Sequence, residues 1–196
     1  MENKEKLSKK FWIIILSICS ILLLFVIIGF VVFSNRKATV IEKNEDGGKA
    51  YLKYATNNNV FTIKNANPTK DEEGIKLNSE GSYYDFSVDT SILKASSIEY
   101  EVSIKKITKT INDKDIIVYL EKEESGTYNS VLKPKVFTPI KSNSDLGTPK
   151  GSMVLTSGVN KKSKIDNYRL RVWFSEKSQQ KDATVSLEIE LNAKAK

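Results

Sequence analysis

In the stretch "YRLRVWF", Arg169, Arg171 and Trp173 alternate with large apolar residues, a spacing that puts two guanidinium groups and an indole on one face of an extended strand. Such a face can hold an anion or stack on a sugar ring. These three residues are therefore the candidate ligand or partner surface. The competing account is an ion-pair ladder with "TVSLEIEL", where Val185, Leu187, Ile189 and Leu191 alternate with Glu188 and Glu190. If both apolar rows point to the core, an antiparallel register sets Tyr168 against Leu191 and Phe174 against Val185. Arg169 then faces Glu190, Arg171 faces Glu188, and Trp173 faces Ser186. Such pairs contribute roughly 0.2–1 kcal/mol each, so the ladder is the favoured reading, with Glu188 and Glu190 as structural partners. Replacing both glutamates by Gln is then expected to lower the melting temperature modestly. The ladder leaves Trp173 unexplained, and a ligand hypothesis rests chiefly on it.

Other reactive groups form weaker patterns. The acidic turns "NEDGG", "TKDEEG", "NDKD" and "NSDLG" lack the alternating oxygen series of a calcium loop and read as solvated turns. Glu99 with Glu101, and Asp85 with Asp89, share strand faces at spacings a glycosidase could use, but wet strand faces commonly carry such pairs. An intramolecular Lys–Asn isopeptide bond, known from Gram-positive surface sandwiches, is chemically open, and no particular trio is marked. The chain has no histidine, and its single cysteine, Cys19, lies in an apolar run. Histidine-dependent triads and thiolate zinc sites are thus excluded by inventory. No catalytic residue, metal ligand or cofactor is assigned.

The elements that would position these groups begin with residues 11–33, "FWIIILSICSILLLFVIIGFVVF". An uncharged run of this length spans a ~30 Å hydrocarbon core as a helix. It is too long for a signal-peptide apolar region and no cleavage site follows, so it reads as an uncleaved signal anchor. Ile18 before Cys19 argues against a lipoprotein, and Ile15 argues against a pilin leader. The basic tail 1–10, with Lys4, Lys6, Lys9 and Lys10, is expected to stay in the cytoplasm. Residues 34–49 read as a flexible linker, leaving 50–196 outside a bacterial membrane. The net charge of +7 does not point to nucleic acid: residues 1–37 hold six basic and two acidic side chains, leaving 25 against 22 beyond them. Those charges are mixed, with no basic stripe.

From Ala50 onward, short alternating runs separated by Gly, Asn, Asp, Ser and Pro clusters predict an all-β domain. The strands are "AYLKYA", "NVFTIKN", "YYDFSVD", "SIEYEVSIKKI", "DIIVYLEKE", "VLKPKVFTPI", "SMVLTSGV", "NYRLRVWFS" and "TVSLEIELNA". Their number and spacing fit an immunoglobulin-like or Greek-key β-sandwich of about seven to nine strands. Ile98, Tyr100, Val102 and Ile104 should face the core with Tyr84, Phe86 and Val88. Pro134 makes its strand an edge or two fragments. Tyr168 stands where an immunoglobulin-like domain places its tyrosine corner.

Taken together, "YLKYATNNNVFTIKNANP", "YYDFSVD", "DIIVYLEKE" and "YRLRVWFSE" resemble a family of small single-pass surface proteins of low-GC Gram-positive gut bacteria. The resemblance implies an anchored sandwich outside the membrane and carries no site residues. The expected partners are the lipid bilayer, through 11–33, and a protein or glycan at the cell surface. The expected role is binding or structural. The alternatives are a subunit of a surface assembly or secretion apparatus and, third, a cell-wall enzyme.

Overall fold

A computed structural model describes residues 38–41, 48–54, 59–79, 81–108 and 110–196. The tail at 1–10 and the membrane helix expected at 11–33 lie outside the described residues. Among those described, no helix is long and apolar enough to cross a membrane.

Residues 37–196 form one unit. Its strands are β1 (Ala38–Ile41), β2 (Gly48–Tyr54), β3 (Val60–Ala66), β4 (Pro68–Thr69), β5 (Tyr83–Ile92), β6 (Ile98–Lys106), β7 (Ile116–Glu124), β8 (Thr127–Val136), β9 (Ser152–Asn160), β10 (Lys164–Ser175) and β11 (Ala183–Ala195). One short helix, α1 (Asp71–Gly74), follows β4, and a 3-10 turn, Asp113–Asp115, precedes β7. All nine expected strands are present. The linker reading of 34–49 needs correction, because β1 lies inside it and pairs antiparallel with β2. The β-branched run Thr39, Val40, Ile41 is the local reason.

The strands make two sheets. The first runs β1-β2-β5-β10-β7-β8, with β4 added parallel to the end of β10; the second runs β3-β11-β6-β9. Every other pairing is antiparallel. One apolar core lies between them, filled from the first sheet by Leu52, Phe86, Val88, Leu120, Leu170 and Phe174, and from the second by Ile98, Val102, Ile104, Leu187 and Ile189. This is an all-β, sandwich-like arrangement. The inward rows follow the alternation: Tyr84, Phe86, Val88, and likewise Ile98, Tyr100, Val102, Ile104, are all buried. Pro134 sits on β8 at the outer edge of the first sheet, where a missing N–H costs no ladder bond. The β7–β8 hairpin turns at Ser125 and Gly126, both at positive φ, the geometry that suits a two-residue loop to strand twist.

The pairing of β10 with β11 is the expectation that fails. These consecutive strands lie in different sheets, β10 between β5 and β7, β11 between β3 and β6. Alternation fixes which face of a strand is buried, and that is satisfied equally by two strands paired in one sheet or facing each other across the core.

Candidate functional site

With β10 between β5 and β7, its arginines find other partners. Arg169 lies opposite Asp85 on β5 and Glu121 on β7. Its Nε and Nη2 donate to the two oxygens of Asp85 at 2.8 and 2.9 Å. Its guanidinium is flanked by the rings of Tyr83 and Tyr128, at 4.2 and 4.4 Å from their centroids. The hydrogen bonds to Asp85 hold its pKa above the ordinary arginine value. Arg171 is only 6% exposed. Its Nε donates to the carbonyl of Leu77 at 2.7 Å and its Nη1 to Glu121.

Trp173 is 2% exposed, so the surface read from it is covered by the chain itself. The indole packs with Ile117 and Tyr119 on the outer face of the first sheet, and Ile75 and Leu77 lie over them. Its Nε1–H donates to Asp71 Oδ1 at 3.2 Å. Gly74 rests so close that a Cβ there would fall 2.3 Å from the indole Cε2. The segment from α1 to Leu77 occupies the platform that Arg171 and Trp173 form.

Glu188 and Glu190 are consequently not the partners of these arginines. Glu188 Oε1 accepts from Asn59 Nδ2 at 2.9 Å, and Glu190 Oε2 from Ser152 Oγ at 3.3 Å. Changing both to Gln is expected to leave the stability within about 0.5 kcal/mol of wild type, the usual range for surface positions. Glu121→Gln, which weakens the contact of a buried guanidinium, is expected to destabilise by roughly 1–3 kcal/mol. Parallel thermal unfolding of the two variants checks this, and equal effects would count against the assignment.

The carboxylate pairs weighed as glycosidase candidates are engaged separately. Asp85 holds Arg169, and Asp89 holds Lys53. Glu99 meets Lys196 Nζ at 2.6 Å, and Glu101 Oε2 accepts from Ser144 Oγ and Thr148 Oγ1 at 2.6 and 2.8 Å. No cluster of metal-ligating groups occurs among the described residues.

Two features had no counterpart in the sequence reading. The first is a cleft of about 410 Å³ beside β11. Pairing of β3 with β11 ends at Glu188, with Ile189 N–H donating to the Asn59 carbonyl. Beyond that point, to Ala195, β11 pairs among the described residues with β6 alone. Leu52 and Tyr54 of β2 line one side of the gap, Gly147 and Pro149 another, and Asn59, Glu188, Glu190 and Asn192 supply its polar groups. Carboxylates and carboxamides beside a tyrosine offer both acceptors and donors, a set suited to hydroxyl groups and hostile to anions.

The second is a buried polar cluster at one end of the sandwich. Asp166, whose side chain is 1% exposed, receives Lys122 Nζ at 2.9 Å and Lys164 Nζ at 2.8 Å on Oδ1. Its Oδ2 accepts from Tyr100 Oη and Asn160 Nδ2, both at 3.2 Å. Tyr168 Oη meets Tyr100 Oη at 2.8 Å across the two sheets, so its phenol is used in a contact between side chains rather than in a tyrosine corner. Burial pushes the carboxyl of Asp166 up, but hydrogen bonds from Lys164, Lys122 and Asn160 outweigh it and hold the group below the ordinary aspartate value. Hydrogen bonding to Asp166 raises Lys164, and burial pushes the Tyr168 phenol up to about 12.

Neither a protein-family model nor a curated protein matches the chain.

Proposed function

We propose that this chain is a single-pass protein of a bacterial cell membrane, anchored through 11–33 with its N-terminus in the cytoplasm, whose outer β-sandwich has a binding rather than a catalytic role. The finer fold reading is an immunoglobulin-like or Greek-key sandwich, supported by a chain that crosses between sheets at most of its connections. The observation that carries the binding role is the cleft beside β11, with its two carboxylates, two carboxamides and Tyr54. Those groups suit a neutral, hydroxyl-rich ligand, a glycan of the wall or host surface. Detergent-solubilised full chain is expected to be retained on immobilised cell-wall glycan. The double variant Glu190→Ala, Asn192→Ala is expected to lose roughly ten-fold in affinity, the equivalent of about 1.4 kcal/mol. Equal retention of the variant would remove the cleft as the site, and no retention of either would remove the glycan.

A second reading is a subunit of a surface assembly. It is favoured by the half of β11 that, among the described residues, no strand of its own sheet pairs on one side, since an unpaired strand edge can accept a strand from another chain. Sizing of the membrane-extracted protein separates the two: an assembly subunit elutes well above monomer mass.

A further inference from the structure

Parity carries three reactive groups into the core at one end of the sandwich. On β7, Lys122 continues the inward row Ile116, Val118, Leu120. On β10, Asp166 precedes the inward row Tyr168, Leu170, Val172, Phe174. On β9, Asn160 lies opposite the core residue Ile98. We propose that Lys122 and Asn160 become joined by an intramolecular amide, a covalent tie between the two sheets, with Asp166 as the proton carrier.

The amine and the carboxamide rest on the two oxygens of one carboxylate, Lys122 Nζ on Oδ1 at 2.9 Å and Asn160 Nδ2 on Oδ2 at 3.2 Å. A second hydrogen bond from Nδ2 to Thr90 Oγ1 at 3.0 Å fixes the carboxamide. Tyr100 and Tyr168 close over the cluster, and Gly158 makes room for them: a Cβ there would lie 2.6 Å from Tyr100 Cζ. Burial of Asn160 and Asp166 limits water at the acyl carbon, which favours aminolysis over hydrolysis there.

Position selects the nucleophile. Oδ1 of Asp166 receives both Lys122 and Lys164, and Glu124 acts on Lys164 as a second negative charge. Lys164 is 54% exposed and keeps its charge through its hydrogen bond to Asp166. Lys122 is 21% exposed and points inward; it is the amine. Its Nζ lone pair attacks Cγ of Asn160, the Nζ–Cγ bond forms and the Cγ–Nδ2 bond breaks. The proton leaving Nζ passes to the Asp166 carboxylate and from there to Nδ2, which departs as ammonia. Asp166 is regenerated, and no oxidant or co-reactant is needed. An ionised Asp166 is itself a poor acyl donor, which leaves the neutral carboxamide as the electrophile.

Intact-mass measurement of the purified full chain is expected to fall short of the sequence mass by one ammonia, and digestion is expected to give a branched peptide joining Lys122 to Asn160. Lys122→Arg, which keeps the charge beside Asp166 and whose folding is checked by circular dichroism, should restore the full mass. Lys164→Arg should keep the loss. A wild-type chain of full sequence mass overturns the proposal. So does a loss of water, which would make Asp166 the acyl partner, or an ammonia loss confined to one unbranched peptide, which would report a cyclised asparagine.

Discussion

In the Lys122→Arg background, where the proposed amide cannot form and the charge beside Asp166 is kept, Asp166→Ala is expected to lower the melting temperature of the β-domain by on the order of 10 °C, through a loss of about 3 kcal/mol. Removing one member of a buried ion pair leaves its partners without compensation, and Asp166 accepts from four groups at once: Lys122, Lys164, Tyr100 and Asn160. The loss sits at the lower end of the range for broken buried pairs because Lys164 is half exposed and can turn to solvent. The phenol of Tyr100 and the carboxamide of Asn160 cannot, but they keep Tyr168 and Thr90 as partners, so each loses one hydrogen bond, about 0.5–1.5 kcal/mol. The sign of the pH dependence follows from the direction of the Asp166 shift. Its carboxyl titrates lower in the folded domain than in the unfolded chain, so its contribution is complete above the unfolded value of about 3.9. It disappears as the pH falls through the folded value. Lys122→Arg and Lys122→Arg/Asp166→Ala should therefore converge in stability as the solution is acidified below about pH 4. Thermal unfolding of both proteins across an acid series measures this, and a constant gap between them would show that the carboxylate is not what stabilises this end of the sandwich.

Trp173→Ala is expected to cost about 3–5 kcal/mol, the range for truncating a buried aromatic, and to loosen the segment above it. The indole is the floor on which Gly74, Ile75 and Leu77 rest, and its N–H is held by Asp71. Without it, the segment keeps its single helical turn, the packing of Ile75 and Leu77 on Ile117 and Tyr119, and the contact of Arg171 with the Leu77 carbonyl, a weak hold on a four-residue helix. Trypsin should then cut after Lys70 or Lys76, both exposed on this segment, faster than in wild type at temperatures where the sheets remain folded. Trp173→Phe should lose less stability, since an aromatic ring is kept while the fused second ring and the hydrogen bond to Asp71 go. Cleavage rates unchanged in Trp173→Ala would show that the segment is held by something other than the indole.

The misread partners of Arg169 and Arg171 show where one-dimensional pattern stops. Alternation placed Tyr168, Leu170, Val172 and Phe174, and equally Val185, Leu187, Ile189 and Leu191, on buried faces, and all eight are buried. The arginines were correctly set on the opposite face of β10. The choice of neighbour was open, because Asp85 and Glu121 on β5 and β7 answer the same charges as Glu188 and Glu190 do. The loop "EKSQQKDA" is long enough to let the chain cross to the other sheet. The outer face of β10 was expected to meet water or a ligand, and it is instead covered where "TKDEEG", read as a solvated turn, folds onto Trp173. Nothing in the local pattern of "TKDEEG" encodes a partner a hundred residues away.

The polar cluster has a local trace in the sequence. In "DIIVYLEKE", the inward row Ile116, Val118, Leu120 runs on to Lys122, and in "DNYRLRVWF" the inward row extends back from Tyr168 to Asp166. A lysine and an aspartate at core parity are a signal of buried charge, since such groups enter an apolar interior only when paired.

The chain's alternating strands, turn residues and edge proline were decided by local chemistry, because a period of two and a missing N–H act within a few residues. So was the character of residues 11–33 as an uncharged apolar run. Sheet membership, the cover over Trp173, the cleft beside β11 and the meeting of Lys122, Asn160 and Asp166 were decided by long-range packing. Each depends on which of several equally apolar faces meet across the core, and no short stretch of the chain contains that information.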